Sequence, residues 1–250
     1  MRRGLVLLIL ASTLAGCGGS ASEPTLAEAT QRTTADGSAA FQLVIEALVG
    51  GNPVLATETG TVSFDSRRAH LYKLVPGGGL PQEIVIDGPV VFSNANVEAA
   101  MHDTTIPPWT RLDTRRLSAK EVRSRPDELT HVRAVAHLAD GVTSARRTGE
   151  EEIDGVDTVR YRGYVDPRRV VARAPAAQRA GLARTLRDDY PAKSFPAEFW
   201  LDGDGRLRRV RVIYRTPGGT LISLDGRFSL FGSNVDLTVP AADKLKDITP

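Results

Sequence analysis

The sequence FQLVIEALV (residues 41–49) is followed by GGNP (50–53) and VLATETGTVSF (54–64), and these segments decide the fold. In the first segment apolar residues recur at every second position, with Gln42 and Glu46 between them. Successive side chains of a β-strand point to opposite sides of a sheet. The alternation therefore predicts a strand with one buried face.

The second segment predicts the returning strand of a hairpin. Gly and Pro residues between the two apolar segments are typical of a turn, and Val62 and Phe64 are expected to point inward. Val44 and Leu48 interrupt the strict alternation of the first strand. This irregularity indicates that its second face is partly covered as well.

The same strand pattern continues along the chain. Asp87-Gly88 separates two short apolar segments, as in a hairpin turn. Consecutive antiparallel hairpins of this kind form a meander. Further strands are predicted over residues 69–75, 82–87, 89–94, 142–150, 158–165, 197–201, 207–215 and 220–228, with a short edge strand over 235–239.

Helical signals lie between the groups of strands. Thr25 and Glu28 have the spacing of a capping box, which predicts a helix reaching about residue 34. Ser118 and Glu121 repeat that spacing. Two more helices are predicted over residues 126–138 and 175–189, because each segment begins with a proline, which the first helical turn tolerates.

Together these elements predict an α+β domain over residues 25–250. It would contain about ten or eleven mostly antiparallel strands and three or four helices. An antiparallel sheet of that size curls, and helices must cover its apolar face. We therefore expect a strongly curved antiparallel sheet wrapped around covering helices.

The first residues of the chain have the composition of an export segment. Arg2 and Arg3 precede an apolar run that ends at Leu14, too short for the ~20 residues that span a bilayer. Cys17 is the only cysteine and comes directly after this run. An ordinary secretory signal with an incidental cysteine, or a buried free thiol in a cytosolic protein, would not explain that position.

Leu14-Ala15-Gly16-Cys17 resembles the lipobox of bacterial lipoproteins, in which the cysteine is acylated and the chain is cut just before it. The resemblance implies a lipoprotein signal peptide over residues 1–16 and lipid attachment at Cys17. Residues 17–24 would form a flexible linker between the acylated cysteine and the domain. The protein would then be anchored by lipid to the outer face of the cytoplasmic membrane.

The charge balance argues against a nucleic-acid partner. Two of the 32 basic residues are Arg2 and Arg3, so removal of the signal peptide leaves 30 basic and 30 acidic side chains. A chain with no net charge has no electrostatic reason to bind nucleic acid or anionic lipid as a whole.

Catalytic and metal-binding patterns are absent from the sequence. His131 and His137 are six residues apart, which does not place them on one helix face, and the histidines are expected at surface or strand-end positions. Asp202-x-Asp204-Gly205 lacks the closing ligands of a calcium loop and predicts a hairpin turn. No Gly-x-Ser-x-Gly motif occurs. We therefore expect a protein without enzymatic activity, catalytic residues, metal or cofactor.

Arginines are densest between Arg206 and Arg215. Arg209, Arg211 and Arg215 share one side of the predicted strand, opposite Val210 and its apolar neighbours. A solvated outer face whose charges discourage edge pairing is the favoured interpretation. Contact with lipid phosphate or an anionic membrane surface is the alternative.

The order of elements resembles the LppX/LprAFG family of actinobacterial lipoproteins, which share the half-barrel fold of the LolA/LolB carriers. The resemblance extends over nearly the whole chain after the signal peptide, and the lipobox is its one specific motif. The matching segments are the lipobox, residues 41–44, 60–65, 86–92, 107–113 and 149–164, and the segment from Phe199-Trp200-Leu201-Asp202 to Val212.

The resemblance implies an apolar cavity that holds the acyl chains of a lipid or glycolipid between sheet and helices. A closed, filled core is the alternative, since most inward apolar residues pack in this way. The candidate lining residues are Leu43, Ile45, Val62, Phe64, Leu71, Ile84, Ile86, Trp109, Val159, Tyr161, Phe199, Leu201, Val210, Val212 and Tyr214.

Three functions stay open at this point. The first is a membrane-anchored lipoprotein that binds a lipid or glycolipid and carries or presents it in the cell envelope, with an envelope transporter or acceptor protein as partner. The second is an interaction or sensor module that binds a protein and no lipid, because the same fold occurs in periplasmic regulators. The third is an enzyme acting on envelope lipids, for which no nucleophile–base pair is recognisable.

Replacing Cys17 with alanine is expected to abolish acylation and to release the protein from the membrane fraction, because no other thiol remains. Metabolic labelling with an alkyne fatty acid, followed by membrane fractionation, measures both effects. Ser20→Ala in the linker is the control and should keep label and anchor. A Cys17→Ala chain that is still labelled would contradict the assignment.

Overall fold

The computed structural model describes residues 25–49, 52–74, 80–94, 96–118, 120–121, 128–189, 193–215 and 219–250. The predicted signal peptide, Cys17 and the linker lie outside the described residues. So do Gly50 and Gly51 of the first predicted turn.

Twelve strands form a single sheet in the described part of the chain. They are β1 (Ser38–Val49), β2 (Asn52–Ser63), β3 (Arg68–Leu74), β4 (Gln82–Asp87), β5 (Val90–Ser93), β6 (Trp109–Asp113), β7 (Val142–Ile153), β8 (Val156–Val165), β9 (Phe195–Leu201), β10 (Leu207–Arg215), β11 (Leu221–Ser229) and β12 (Leu245–Asp247).

The order across the sheet is β12-β6-β5-β4-β3-β2-β1-β11-β10-β9-β8-β7. Neighbouring strands are antiparallel except for the parallel pair β12 and β6. Since β12 and β7 lie at opposite edges, the sheet is open. The predicted large antiparallel sheet is confirmed, with one or two strands more than the pattern indicated.

Helices cover one face of this sheet, which we call the inner face. The α-helices in the described part of the chain include α1 (Leu26–Thr34), α2 (Val97–His102), α3 (Glu128–His137), α4 (Pro167–Arg173) and α5 (Arg179–Asp189). Helix α1 contacts α3, β7 and β10, while α3 also contacts β10 and α5. Within the described ranges, none of the helices has both the length and the apolar sequence needed to cross a membrane.

The strand register determines which side chains face the helices. Leu43 of β1 lies opposite Gly226 of β11 and Glu58 of β2, so all three belong to the inner face. Most large apolar side chains of this face are buried against the helices. The core includes Leu43, Val62, Leu71, Phe199, Val210 and Phe228 from the sheet, and Leu26, Val132, Val135, Leu182 and Leu186 from the helices.

Helix α3 lies close to the centre of the sheet because Gly226 has no side chain. A Cβ atom on Gly226 would lie 2.7 Å from Val135 Cγ1 and 3.0 Å from Leu43 Cδ2. A glycine inside a strand often marks such a close approach. Gly226 therefore sets the distance between α3 and the sheet.

The helix predicted over residues 175–189 begins later than expected. Helix α5 starts at Arg179; Leu182 and Leu186 are buried as predicted, but Ala176 is exposed. A separate helix, α4, precedes it and was not predicted. Asp166 accepts a hydrogen bond from the N–H of Arg168 at 2.8 Å and Pro167 follows it, which is an N-cap signal that the sequence contained.

The edge strand predicted over residues 235–239 is wrong. Asp236 Oδ1 accepts hydrogen bonds from the backbone N–H of Thr238 at 3.0 Å and from its hydroxyl at 2.7 Å, so this segment is bonded locally. The edge is formed by β12, which pairs with β6 and is joined to it by an ion pair between Arg111 and Asp247 at 2.8 Å.

The two predicted capping boxes have different outcomes. Thr25 is the N-cap residue of α1 but makes no side-chain capping bond, and Glu28 pairs with Arg32 at 2.7 Å instead. The reciprocal box at Ser118 and Glu121 is confirmed. The Ser118 N–H donates to Glu121 Oε2 at 2.8 Å, and the Glu121 N–H donates to Ser118 Oγ at 3.3 Å.

Gly226→Ala is expected to destabilise the domain by about 1–3 kcal/mol, because the new methyl group must displace Val135 or Leu43 from a packed core. Urea unfolding followed by circular dichroism measures the change. Gly203→Ala is the matched control, since a Cβ there has no atom within 4 Å. Equal stability of the two variants would contradict the role given to Gly226.

Candidate functional site

Most of the predicted lining residues come together on the inner face. Those in the buried core or packed against it are Leu43, Ile45, Val62, Phe64, Leu71, Ile84, Ile86, Tyr161, Phe199, Leu201, Val210, Val212 and Tyr214. Val159 pairs with Leu201 on the same face and is partly exposed. Whether these residues line a lipid cavity stays a prediction.

Trp109 is not brought together with the others. It begins β6, where Leu112 pairs with Val91 of the inner face and Arg111 pairs with Phe92 of the opposite face. By strand alternation Trp109 lies on the side of Arg111, away from the helices. The sequence around Trp109, which follows two prolines, has no alternating pattern from which the face of its side chain could be predicted.

Burial along the inner face changes from one end of the sheet to the other. On β2, Val62 is fully buried, Ala56 is half-buried and Val54 is 37% exposed. On β1, Leu43 is buried and Ala47 is half-buried. We call the end at which β1 leads into β2 the open end, and the end at Val62 the closed end. The inner face is therefore accessible at one end only of these central strands.

Exposed apolar side chains lie at the open end of the sheet, where Val54 belongs to the inner face and the other strand residues of the set point to the outer face. They occur where β1 ends and β2 begins, around the β3–β4 connection and near the end of β10. Their exposed fractions range from 37% to 50%. A concentration of such residues marks a surface that contacts a ligand, membrane or protein. We call this set the apolar rim; it consists of Leu48, Val54, Leu55, Leu74, Leu80 and Ile213.

A charged cluster interrupts the apolar inner face near the open end. Glu58 lies on β2 between Leu43 of β1 and Lys73 of β3, and is only 3% exposed. The Lys73 ammonium lies 3.1 Å from Glu58 Oε1, and Nδ1 of His131 on α3 lies 3.9 Å from the same oxygen. We call these three residues the polar cluster.

The neighbours of Glu58 keep its carboxylate charged. Burial raises the pKa of Glu58, but hydrogen bonding and the charges of His131 and Lys73 together outweigh burial, so the pKa lies below its ordinary value of 4.5. The Lys73 and His131 side chains are 23% and 30% exposed, whereas the Glu58 side chain is 4% exposed. Glu58 is thus a buried anion beside two partly exposed side chains.

Sequence reasoning missed this cluster, although one signal was present. Val62 was predicted to point inward, and Glu58 is four residues before it on the same strand. A period of two places both on one face. In the same way, Lys73 is two residues after Leu71 on β3, so both side chains are expected on the inner face. His131 could not be found in this way, because it arrives on a helix from a distant part of the chain.

His137 differs from the predicted surface or strand-end position, whereas His102 is exposed as expected. His137 is buried within α3, where Nδ1 lies 2.9 Å from Asp140 Oδ2 and Nε2 lies 3.1 Å from Gln178 Oε1. Gln178 in turn donates to the carbonyl of Phe64 at 3.4 Å. His137 therefore connects two helices and the sheet.

The arginines at the start of β10 are largely paired, and Arg209 and Arg211 point to the outer face, away from the helices. Arg206 and Arg208 lie 3.0 and 2.8 Å from Asp202 Oδ2, and Arg209 is paired with Asp225. Arg211 is exposed on the same outer face. These pairs support the interpretation of the arginine cluster as a solvated outer face.

A tryptophan is buried within this outer charged face. The guanidinium groups of Arg160 and Arg209 lie 5.2 and 4.8 Å from the ring centroid of Trp200, and the indole N–H donates to Glu151 at 2.8 Å. Arg160 is also paired with Glu198 at 2.6 Å. These side chains cover Trp200 and bury it on the outer face.

No family model matches the sequence, and the search of curated proteins finds no match. Solved structures do match. LppX of Mycobacterium tuberculosis is 15% identical, with 84% of this chain and 98% of that chain covered and a TM-score of 0.48. LprF of Mycobacterium bovis is 14% identical, with 88% and 99% covered and a TM-score of 0.47.

The chain is also similar to the Pseudomonas aeruginosa MucA/MucB complex at 17% identity, with 88% of this chain and 59% of that chain covered and a TM-score of 0.34. LppX is a lipoprotein, and both names are those of the family that the sequence resembles. The similarity to these structures concerns the fold alone.

Glu58→Gln tests the charge state of the cluster. A lowered pKa means that Glu58 stabilises the fold above its unfolded-state pKa near 4.5, and that this contribution is lost as the pH falls through the folded-state pKa. We expect Glu58→Gln to cost about 1–3 kcal/mol at pH 7 and progressively less below about pH 4.5.

Urea unfolding of both proteins between pH 3 and pH 7 measures this difference. Glu46→Gln, exposed on the opposite face of β1, is the control and should follow the wild type. A Glu58→Gln deficit that is constant across the pH range would contradict the lowered pKa.

Proposed function

We propose that this protein is a lipoprotein, anchored to a membrane through acylated Cys17, that binds a lipid between the inner face of its sheet and the helices. It has no catalytic role in this proposal. The one observation that carries it is the inner apolar face of the central strands, which is packed at the closed end and accessible at the open end.

The half-buried residues near the open end would contact the lipid. The closed end is packed with side chains, so an acyl chain would enter at the open end, past Val54, and lie along Ile45, Ala47, Ala56 and Ile222, which share the inner face and are partly accessible. Each CH₂ group sheltered from water contributes ~0.8 kcal/mol. A few carbons beyond the rim therefore suffice for useful binding.

In this proposal the lipid anchor holds the open end of the domain close to the membrane. An eight-residue linker from Cys17 to Pro24 reaches at most about 28 Å when extended, which keeps the domain near the membrane. At that distance the open end of the inner face would take up a lipid directly and present it to a transporter or acceptor protein of the envelope. Glycolipids and phospholipids are the candidate cargo.

Ala56→Trp is expected to block the opening, because the indole would fill the inner face beside Ile45. The full chain, purified from membranes in non-ionic detergent, would be analysed by native mass spectrometry for bound lipid. We expect at least about a tenfold loss of the lipid-bound form, which corresponds to a few excluded CH₂ groups.

Thr57→Trp is the matched control, since it lies next to Ala56 and points to the outer face. It should keep its lipid, and circular dichroism should show both variants folded. A wild-type chain without lipid, or lipid retained equally by Ala56→Trp, would overturn the proposal. Recovery of one stoichiometric protein in place of lipid would instead support the interaction module.

A further inference from the structure

The proposed lipid site leaves most of the apolar rim without a role. Val54 lies on the inner face, but Leu48, Leu55, Leu74 and Ile213 point to the outer face and are between 40% and 48% exposed. A lipid held between the sheet and the helices does not reach them. Exposed apolar residues that are concentrated in one place mark a contact surface, so these four side chains indicate a second contact.

The strand register places the rim residues in rows across the outer face at the open end. Ile213 of β10 pairs with Ser223 of β11, and Ser223 also pairs with Glu46 of β1. Glu46 pairs in turn with Leu55 of β2, so these four positions form one row. Leu48 is two residues closer to the strand ends on the same face. A flat surface placed against the open end would therefore contact both rows together.

The hairpin connections at the two ends of these strands differ in sequence. At the open end, residues 50–51, 75–81 and 216–220 join β1 to β2, β3 to β4 and β10 to β11, and none of these residues is charged. At the closed end, residues 64–67 and 202–206 join β2 to β3 and β9 to β10, and both segments contain Asp and Arg. The open end of the central strands is therefore the less polar end.

We propose that the apolar rim lies on the surface of the membrane in which Cys17 is anchored, with the open end of the sheet facing the lipid. This inference rests on the anchor of the proposed function. A surface contact of this kind buries apolar side chains about 5–10 Å into the boundary between headgroups and acyl chains. The two rows of the rim are two residues apart, or ~7 Å along the strands, and match that depth.

The composition of the rim favours lipid over a protein partner. Its six residues are Leu, Val and Ile only. Protein interfaces obtain most of their affinity from Trp, Tyr and Arg, and Leu and Val are under-represented among the residues that contribute most. Aliphatic side chains enter the acyl boundary without needing a complementary surface. The linker, which reaches at most about 28 Å, also keeps the domain close to the membrane.

Charge contributes little to the proposed contact. The outer face at the open end of β1 and β10 includes one acidic and one basic side chain, Glu46 and Arg215. Glu46 would stay at the level of the headgroups, and Arg215 would reach that level with its long side chain. We therefore expect the same docking on zwitterionic and anionic lipid. This separates an apolar contact from the electrostatic one considered for the arginines of β10.

The rim would orient an anchored domain but would not hold an unanchored one. Even one myristoyl chain binds membranes only marginally and reversibly, and the rim side chains are already about half-buried in the protein. The release expected for Cys17→Ala during membrane fractionation therefore still holds.

Two labelled positions on β11 test the docking. Ser223 lies within the rim, and Ser229 lies on the same face six residues, or ~20 Å, toward the closed end. Ser223→Cys and Ser229→Cys chains, purified from membranes with Cys17 acylated, are labelled with bimane at the introduced thiol. They are then reconstituted into phosphatidylcholine vesicles with or without brominated acyl chains, which quench the label on contact.

Brominated lipid is expected to reduce the fluorescence of Ser223→Cys at least about twofold and to leave Ser229→Cys unchanged, because the contact is only ~5–10 Å deep. Addition of phosphatidylglycerol to the vesicles should change neither result.

A triple variant connects the quenching to the rim. Leu48→Thr/Leu55→Thr/Ile213→Thr removes three aliphatic side chains and introduces residues that favour strands. It should abolish the quenching of Ser223→Cys while the chain stays with the vesicles through Cys17.

The control variant is Met101→Gln/Leu230→Asn. These two side chains are 69% and 70% exposed, more than any residue of the rim, and do not belong to it. The control should be quenched like the wild type, and circular dichroism should show both variants folded.

Each outcome either supports or contradicts the inference. Equal quenching of the two labels, quenching that requires anionic lipid, or quenching that persists in the triple variant would show that it is wrong. A wild-type dimer in the native mass spectrum that becomes a monomer in the triple variant would also overturn it, since the rim would then be a protein interface. Quenching of Ser223→Cys that only the triple variant abolishes supports the docking.

The inference and the proposed function fail in different ways. If the wild type carries lipid in the native mass spectrum but Ser223→Cys is not quenched, the docking alone is wrong. If Ser223→Cys is quenched and the chain carries no lipid, the docking stands and the lipid site is wrong. If the chain does not stay with the vesicles, the anchor is wrong and the docking with it.

Discussion

The register of β1 is the constraint on which the rest of the structure depends. This strand lies in the middle of the sheet and pairs along its length with β2 on one side and β11 on the other. A slip of one residue would turn Phe41 and Leu43 outward and bring Gln42 and Glu46 inside. Because both neighbours take their faces from β1, the apolar inner surface and the charged outer surface follow from this one alignment.

Helix packing then closes part of that inner surface. Gly226 allows α3 to approach the centre of the sheet, and His137 joins α3 to Gln178 and through it to the sheet. The central strands are fully covered at the closed end and only partly covered at the open end. A packed core and an accessible apolar surface therefore exist on the same face, at different ends of it.

The two faces treat charge differently. On the outer face, pairs such as Arg209 with Asp225 remain close to water, and pairs of this kind contribute little to stability. On the inner face, Glu58 is almost fully buried, and its charge depends on Lys73 and His131. A buried charge has to be held by its partners, whereas the charges of the outer face are also stabilised by water.

The sequence by itself determined the strands of the central and β4–β5 hairpins, the inward residues of β1 and β2, and the overall fold class. These features are set by alternation and turn residues over a few positions, where local chemistry is sufficient. Strand alternation from Val62 and Leu71 would also have placed Glu58 and Lys73 on the inner face. Helix α4 was not predicted, although Asp166 and Pro167 are an N-cap residue and a first-turn proline that indicate the start of a helix.

Only the tertiary structure decided where distant segments meet. The edge strand β12 pairs with β6, far earlier in the chain, and no local pattern distinguishes it from the wrongly predicted strand over residues 235–239. Trp109 took the outer side, His131 reached Glu58 on a helix, and the helices left one end of the inner face open. Each of these depends on how whole elements pack, because side-chain periodicity defines a face and not the partner that covers it.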